Sequence, residues 1–270
     1  MRRRAGPPSG QTRRGQPGAG RAAATLAALA IACSAQAAAA GQEGPAPPPP
    51  ARQESTAEAP AAAGPVVGAD VTVASAFMWR GFELFPSPVV QPSIWVGIGP
   101  ITIVSWSNIE TPSPGRATYS EHDLTVDYSR EVGPATVSVG WTHYAFVQES
   151  TDRFTNEFYL AVSAGGYLNP RVQVVQDVHA GSGTYALFEM SHEFAVGGTG
   201  VLLTPTLTIG YTDRQWVDWS GFSHITASVG ATVPLGRSHA SLHPFLAYSH
   251  GLDADLFPRR FYAGLTFTVE

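Results

Sequence analysis

Three groups of side chains in this sequence have the residue types of hydrolytic chemistry. Asp177 lies two residues before His179, and the pairs His192-Glu193 and Ser249-His250 each place a histidine beside an acid or a hydroxyl. A serine nucleophile needs a base within hydrogen-bond reach and a third group that orients the base. No spacing ties a serine to Asp177 and His179. We therefore expect a protein that is not an enzyme, with a barrel hydrolase acting on lipid or peptide as the lesser alternative.

Metal and cofactor chemistry has no matching pattern. The eight histidines are scattered along the chain, without the paired spacing of a helix-borne zinc site. The run Gly197-Gly198-Thr199-Gly200 links two predicted strands and opens no helix, unlike a phosphate-binding loop. The sequence predicts neither a metal site nor a cofactor.

A larger set of ionisable residues suits the lining of a pore. Alternation along extended strands would point one face of each strand into a shared interior. Acids outnumber bases on that face, which predicts a weakly cation-preferring pore. Alternatively, the same groups pair with one another inside a plugged barrel, where Arg80 and Arg171 are the counter-ions. The predicted lining residues are Arg80, Asp123, Asp127, Glu157, Arg171, Asp177, His179, Glu189, Glu193 and His224.

The elements that would position these residues are strands. Gly and Pro supply 28 and 22 residues, and turn signals built from them divide 69–270 into about twelve strand-length pieces. Leu124, Val126 and Tyr128 alternate with polar neighbours, as a strand with one apolar and one polar face requires. The predicted strands are 69–81, 88–99, 101–110, 120–132, 135–147, 153–165, 169–180, 183–195, 201–213, 221–234, 240–250 and 258–270.

The links between these strands alternate in length. Longer links are Phe82–Ser87, Thr111–Tyr119, Arg214–Ser220 and Gly251–Phe257, and shorter ones are Pro100, Gly133-Pro134 and Leu235–His239. Transmembrane barrels have short periplasmic turns and longer outer loops, whereas a soluble β-sandwich, the alternative, has no such requirement. Eight aromatic residues near the longer links are predicted to form an outward girdle: Phe77, Trp79, Trp106, Tyr144, Phe146, Tyr211, Trp216 and Trp219.

The first 68 residues have the composition of export and linker segments. An arginine-rich start precedes the apolar run Ala22–Cys33 and the small residues up to Ala40, which is the order of a cleavable signal peptide over 1–40. Residues 41–68 are rich in Pro and Ala and predict a disordered linker, followed by the barrel at 69–270. Cys33 is the only cysteine, so a lipoprotein site there is the alternative to simple cleavage.

Charge excludes one class of partner. Residues 69–270 contain nine Arg, no Lys and 18 acidic residues, so the basic patch that nucleic-acid binding needs is missing. The partners that the sequence predicts are outer-membrane lipid and small solutes or ions.

Short motifs along 70–270 are similar to those of one bacterial family. The segments Phe77-Met78-Trp79-Arg80-Gly81 and Pro88-Val89-Val90-Gln91-Pro92 carry the likeness, with fainter echoes at Trp106-Ser107-Asn108 and Asn156-Glu157-Phe158-Tyr159-Leu160. On these motifs the chain resembles the TorF-like porins. The resemblance implies a small outer-membrane barrel that lets solutes pass, without a defined substrate or catalytic residue.

Together these patterns predict an all-β protein, an antiparallel transmembrane β-barrel of about 12 strands, exported to the outer membrane of a Gram-negative-type cell. The predicted function is that of a porin for passive diffusion of small solutes. A sealed structural or adhesive barrel without conductance is the alternative.

Overall fold

The computed structural model describes residues 64–149, 151–236 and 239–270. Most of the predicted signal peptide and linker, and Cys33, lie outside these described residues. Strand β1 begins at Val66, three residues before the predicted barrel start, so the end of the predicted linker is part of the wall. The strands are β1 (Val66–Ala74), β2 (Phe77–Trp79), β3 (Phe82–Phe85), β4 (Val89–Ile98), β5 (Ile101–Ser113), β6 (Arg116–Val132), β7 (Ala135–Phe146), β8 (Phe154–Ala164), β9 (Arg171–Asp177), β10 (Thr184–Ser191), β11 (Phe194–Ala195), β12 (Leu202–Asp213), β13 (Ser220–Pro234), β14 (Ala240–Gly251) and β15 (Arg260–Val269).

Twelve of these strands form one closed antiparallel barrel. Each wall strand pairs with the next along the chain, β1 pairs with β15, and β10 pairs with β12 across the short β11. The closure leaves no sheet edge in the wall and excludes the β-sandwich alternative, which needs two separate sheets. The predicted fold class is confirmed.

The wall is apolar outside and polar inside. Val71, Leu160 and Leu246 point outward and are 42%, 45% and 51% exposed, while Thr72, Thr125 and Glu157 point inward and are 0–1% exposed. Lipid is the solvent in which such an outer surface is stable, because apolar side chains face it and every wall strand has two neighbours for its backbone groups. The barrel is therefore of the transmembrane, outer-membrane type.

Two ends of the barrel can be distinguished. The terminus end carries the start of β1 and the end of β15, with links such as 99–100 and 133–134. The opposite end, called the plug end below, carries the link 75–88 and the links 147–153, 178–183, 214–219 and 252–259. One predicted loop is wrong: Thr111–Tyr119 is mostly strand, because β5 and β6 continue outward to a two-residue turn at Pro114-Gly115.

The predicted first strand, 69–81, is also wrong in its second half. The wall strand β1 ends at Ala74, and residues 77–85 form a separate hairpin of β2 and β3. Phe77 and Met78 on this hairpin are 4% exposed, and Arg80 at its turn pairs with Glu157 on the inner wall. The hairpin thus folds into the barrel. We call residues 75–88 the plug.

The predicted aromatic girdle is largely wrong for the same reason. Phe77 and Tyr144 are buried, and Trp79 and Trp106 pack against the buried cluster of Ala74, Phe77, Val89 and Phe245. These rings lie at the predicted end but fill the interior. Of the predicted set, Tyr211 does face outward, since its neighbour Thr212 points inward and is 1% exposed. The outward aromatic residues near the plug end are Tyr119, Trp141, Phe154, Tyr211, Phe222, Tyr248 and Phe261.

Candidate functional site: the latched plug and the acidic lumen

The plug is held by a buried ion pair between its turn and the wall. Nη1 of Arg80 donates to Oε1 of Glu157 at 2.7 Å, and Nη2 donates to Oε2 at 2.8 Å. Two parallel charge-assisted hydrogen bonds give a guanidinium–carboxylate pair both strength and a fixed orientation. Because Glu157 belongs to β8, the pair ties the plug to the wall. We call Arg80, Glu157, Tyr144 and Gln215 the latch.

Other elements satisfy the remaining oxygen and nitrogen atoms of this pair. Tyr144 of β7 donates its hydroxyl to Oε2 of Glu157 at 2.8 Å. Gln215, from the link after β12, donates to Oε1 of Glu157 at 2.5 Å and accepts from Nη1 of Arg80 at 2.9 Å. The guanidinium also lies over the rings of Trp79 and Tyr185, 4.3 and 4.7 Å from their centroids. Removing one charge would leave its partner buried without compensation.

The turn at the tip of the plug is a tight hairpin turn. Trp79 pairs with Phe82, and the two residues between them, Arg80 and Gly81, have φ of 50° and 87°. Positive φ at both central positions is the signature of a type I′ turn. Arg80 has a side chain and therefore adopts this conformation under strain, and its ion pair offsets the cost.

Gly81 is required at this turn for a second reason. A Cβ at Gly81 would lie 2.7 Å from Cδ2 of His224, on the wall strand β13. The plug tip thus approaches β13 as well as β8. Nε2 of His224 is 3.1 Å from the hydroxyl of Tyr185, so the tip sits against a hydrogen-bonded part of the wall.

Aromatic contacts cover the plug from its outer side. Phe82 packs against Phe257 with ring centroids 4.7 Å apart, and Trp219 lies 5.6 Å from Phe257. Phe257 is fully buried and belongs to the link 252–259. Links from two other parts of the barrel therefore close over the plug.

Below the latch, hydrogen bonds join inward side chains of neighbouring strands. Thr72 bonds to Thr266 at 2.7 Å, and Thr125 bonds to Thr142 at 2.8 Å. Tyr159 of β8 reaches across Gly140 of β7 and donates to Oδ2 of Asp127 on β6 at 2.6 Å. A strand glycine of this kind marks a close approach of another group.

We expect Gly140→Ala to destabilise the barrel by about 1–3 kcal/mol, because the added methyl group would overlap the ring of Tyr159 and displace its hydroxyl from Asp127. Gly230→Ala is the matched control, since the nearest atom to a Cβ there is 4.0 Å away. Urea unfolding of the protein in lipid vesicles, followed by tryptophan fluorescence, measures both. Equal midpoints for the two variants would contradict the prediction.

The structure places the predicted lining residues in three settings. Asp123, Asp127, Glu157, Arg171, Asp177 and His224 are inward on the wall and 1–8% exposed, and Arg80 is inward on the plug. Glu189 is inward and half-buried, with Thr208 donating to it at 3.2 Å. His179 is exposed in the link after β9, where it stacks on Phe154, and Glu193 lies outside the strands between β10 and β11. These last two do not line the lumen.

The latch unites residues that sequence reasoning treated separately. Arg80 and Glu157 were predicted lining residues, but Gln215 was not singled out, and Tyr144 was assigned to the outer girdle. Alternation places Tyr144 on the same face of β7 as Thr142, which could have indicated an inward position. Gln215 lies in a link, where alternation carries no information.

In the described residues, neither Ser249-His250 nor Asp177 with His179 assembles into a nucleophile and base, and the ring of His192 contacts Tyr167 and Phe194. Ser249 points inward and accepts from Thr226, whereas His250 follows it on the opposite face and contacts Tyr248. Asp177 accepts from Thr155 and from the backbone N–H of His179, and the His179 ring contacts the backbone of Phe154.

Two features are absent from the described residues. Between residues 64 and 270, leaving out 150, 237 and 238, no group of three or more His, Cys, Asp or Glu side chains is placed to hold a metal ion. The same part of the chain has no helix that is long and apolar enough to cross a membrane.

Several solved structures are similar to this one in the arrangement of their strands. The translocator domain of the autotransporter NalP from Neisseria meningitidis has 11% sequence identity and a TM-score of 0.40, and the match covers 77% of this chain and 88% of that one. The β-domain of the Bordetella autotransporter BrkA has 13% identity and a TM-score of 0.35, with 75% and 98% covered. A bacterial polysaccharide outer-membrane secretin has 9% identity and a TM-score of 0.37, with 76% and 98% covered.

No protein-family model matches the chain, and no curated protein matches it. The resemblance to the TorF-like porins stays a prediction. At these identities and TM-scores, the similar structures carry no argument about function.

Proposed function

We propose that this protein is an outer-membrane channel for small solutes, with a preference for cations, whose lumen is closed at one end by the latched plug. The observation that carries the proposal is the ion pair of Arg80 with Glu157, which fixes a hairpin from the first link inside an otherwise polar barrel. A purely structural barrel could fill its interior with wall side chains alone. A separate hairpin held by a few defined contacts is an element that can move.

The charge of the lumen supports the cation preference. Inward carboxylates outnumber inward guanidinium groups, of which Arg80 is neutralised by Glu157 and Arg260 pairs with Glu83 of the plug. Rings of carboxylates in a pore attract cations and repel anions. The inward acids include Asp70, Glu121, Asp123, Asp127, Glu157, Asp177 and Glu189.

The burial of inward side chains supports closure at the plug end. Inward residues near the plug, such as Val89, Asn108 and Glu157, are 0–1% exposed. Nearer the terminus end the burial varies, since Arg171 is 7% exposed whereas Asp70 is half-buried. The interior is thus filled around the plug. Passage of solutes would require the plug to leave its position.

Planar-bilayer recording tests the proposal on two proteins, the intact chain and a variant in which residues 76–87 are replaced by a short Gly/Ser linker. We expect rare, small conductance steps for the intact protein and frequent, larger steps for the variant. In a KCl gradient, the reversal potential of the variant should have the sign of cation selectivity. If neither protein conducts while both migrate as folded, heat-modifiable barrels, the proposal is wrong.

The second candidate is a sealed barrel with a structural or adhesive role. The observation that favours it is the buried apolar cluster of Ala74, Phe77, Val89 and Phe245, which packs the plug against the wall. The same recording separates the two functions. A barrel whose lumen is filled by wall side chains stays silent after the plug is deleted, whereas a channel that the plug closes conducts.

A further inference from the structure

A cavity lies on the outer side of the plug, between the plug and the wall. Its volume is about 350 Å³, which is enough for a small organic molecule. Trp79 and Phe82 of the plug form one side, and Tyr144 and Phe146 of β7 form another. Trp216, from the link after β12, completes the aromatic lining.

The five rings form a continuous row around the cavity. Trp79 lies 6.3 Å from Phe82 and 6.2 Å from Tyr144, measured between ring centroids. Tyr144 lies 6.5 Å from Phe146, which in turn lies 5.7 Å from Trp216 at an interplanar angle of 82°. Aromatic faces carry partial negative charge and attract cations, and rows of this kind hold quaternary ammonium groups in other proteins.

A buried carboxylate without a counter-ion faces the same cavity. Glu121 of β6 lines it and is 8% exposed, yet among the described residues no hydrogen bond or ion pair to its carboxylate is formed. Burying an unpaired carboxylate is costly, so a bound cation would be stabilised there. Two exposed acids at the rim, Glu149 and Asp152, add to the negative charge of the cavity.

The nearest positive charge does not fill this role. The guanidinium of Arg80 lies over Trp79, but its two terminal nitrogens are committed to Glu157 and Gln215. Among the residues that the structure describes, no arginine or histidine lines the cavity. The lining therefore combines aromatic faces, an unpaired carboxylate and the absence of a protein cation among its own residues.

We propose that this cavity binds a small organic cation with an alkylated ammonium group. The aromatic row would contact the alkyl groups, and Glu121 would supply the counter-charge. A neutral sugar would also stack on aromatic rings, but it would leave Glu121 without a counter-ion.

The site rests on the proposed channel function and extends it, because its lining comes from both the plug and the wall. Trp79 and Phe82 move with the plug, whereas Glu121, Tyr144 and Phe146 stay on the wall. A ligand that needs both halves binds the closed arrangement better than the open one and shifts the population toward it. Binding itself does not require that the barrel conducts, so the two proposals can fail separately.

Titration of the full chain folded in detergent, with tryptophan fluorescence as the signal, tests the binding. The probes are choline chloride and 3,3-dimethylbutan-1-ol, which has the same shape as choline but no charge. We expect saturable quenching by choline, with the neutral analogue at least about tenfold weaker. No saturation by choline, or equal affinity for the neutral analogue, would overturn the proposal, and the second outcome would indicate a neutral ligand.

Three variants assign the binding to this cavity. Glu121→Gln keeps the size of the side chain and is expected to weaken choline binding by about tenfold or more. Phe146→Leu removes one ring of the row and should weaken choline more than it weakens the neutral analogue. Glu131→Gln is the matched control, because Glu131 is exposed at the terminus end of β6 and should leave choline affinity unchanged. If Glu121→Gln binds choline as the parent protein does while folded, the cavity is not the site.

Discussion

Arg80→Ala is expected to raise the ratio of open to closed channels by about 100-fold or more. Removing one partner of a buried ion pair costs about 3–5 kcal/mol, because the other charge stays buried and unpaired. At about 1.4 kcal/mol for each factor of ten, the lower value already corresponds to about 100-fold. Without the ion pair, nothing would offset the strain of the positive φ at residue 80, which also favours release of the plug. Open probability in planar bilayers is the measurement.

Arg130→Ala is the matched control, since Arg130 is an exposed arginine on β6 near the terminus end and makes no contact with the plug. Its open probability should equal that of the parent protein. Glu157→Ala and the double variant complete a double-mutant cycle, in which the double variant should differ little from either single variant. Additive effects of the two substitutions, or a silent but folded Arg80→Ala protein, would show that the ion pair does not hold the channel closed.

Leu160→Arg is expected to lower the free energy of unfolding by about 2–4 kcal/mol. Leu160 lies near the middle of β8 and points outward, with 45% of its surface exposed. An arginine at that depth places a charge in the hydrocarbon, which destabilises the folded barrel. Near the membrane interface the same substitution costs only about 0–1 kcal/mol. Urea unfolding of the protein in lipid vesicles measures the change.

Val132→Arg provides the comparison at the interface, because Val132 is the last residue of β6 and is 54% exposed. It should shift the unfolding midpoint much less than Leu160→Arg does. If the two substitutions destabilise the protein equally, the outward face of β8 is not in contact with the hydrocarbon core. If Leu160→Arg lowers the unfolding midpoint by the same amount in detergent and in lipid, the substitution acts through local packing.

Most of the wall could be predicted because alternation is a local property. Leu124, Val126 and Tyr128 read as one face of a strand without reference to any other part of the chain, and they do point outward on β6. Strand ends differ from the prediction by a few residues, mainly at the plug end, where β5 and β6 continue up to the turn at Pro114-Gly115. The strand count of twelve in the wall agrees with the prediction.

The plug could not be predicted in the same way. Phe77, Met78 and Trp79 continue the strand-like pattern of β1, so the local signal is the same for a longer wall strand and for a hairpin folded inward. The difference lies in partners that are distant along the chain, since Arg80 and Glu157 are 77 residues apart and Arg80 and Gln215 are 135 apart. Aromatic residues near this end were consequently assigned to the wrong side of the wall.

Export-like composition, twelve alternating segments and an excess of acid are sufficient to predict a membrane barrel with a polar, acidic interior, because each depends on neighbours within a few residues. The tertiary structure alone decided that a hairpin folds into the barrel, that Arg80 on it pairs with Glu157, and that, among the described residues, Glu121 faces an aromatic cavity without a counter-ion. These features require side chains from β6, β7, β8 and two links to meet in one place. The distances between these side chains depend on closure of the barrel, and the local pattern of any one segment does not specify that closure.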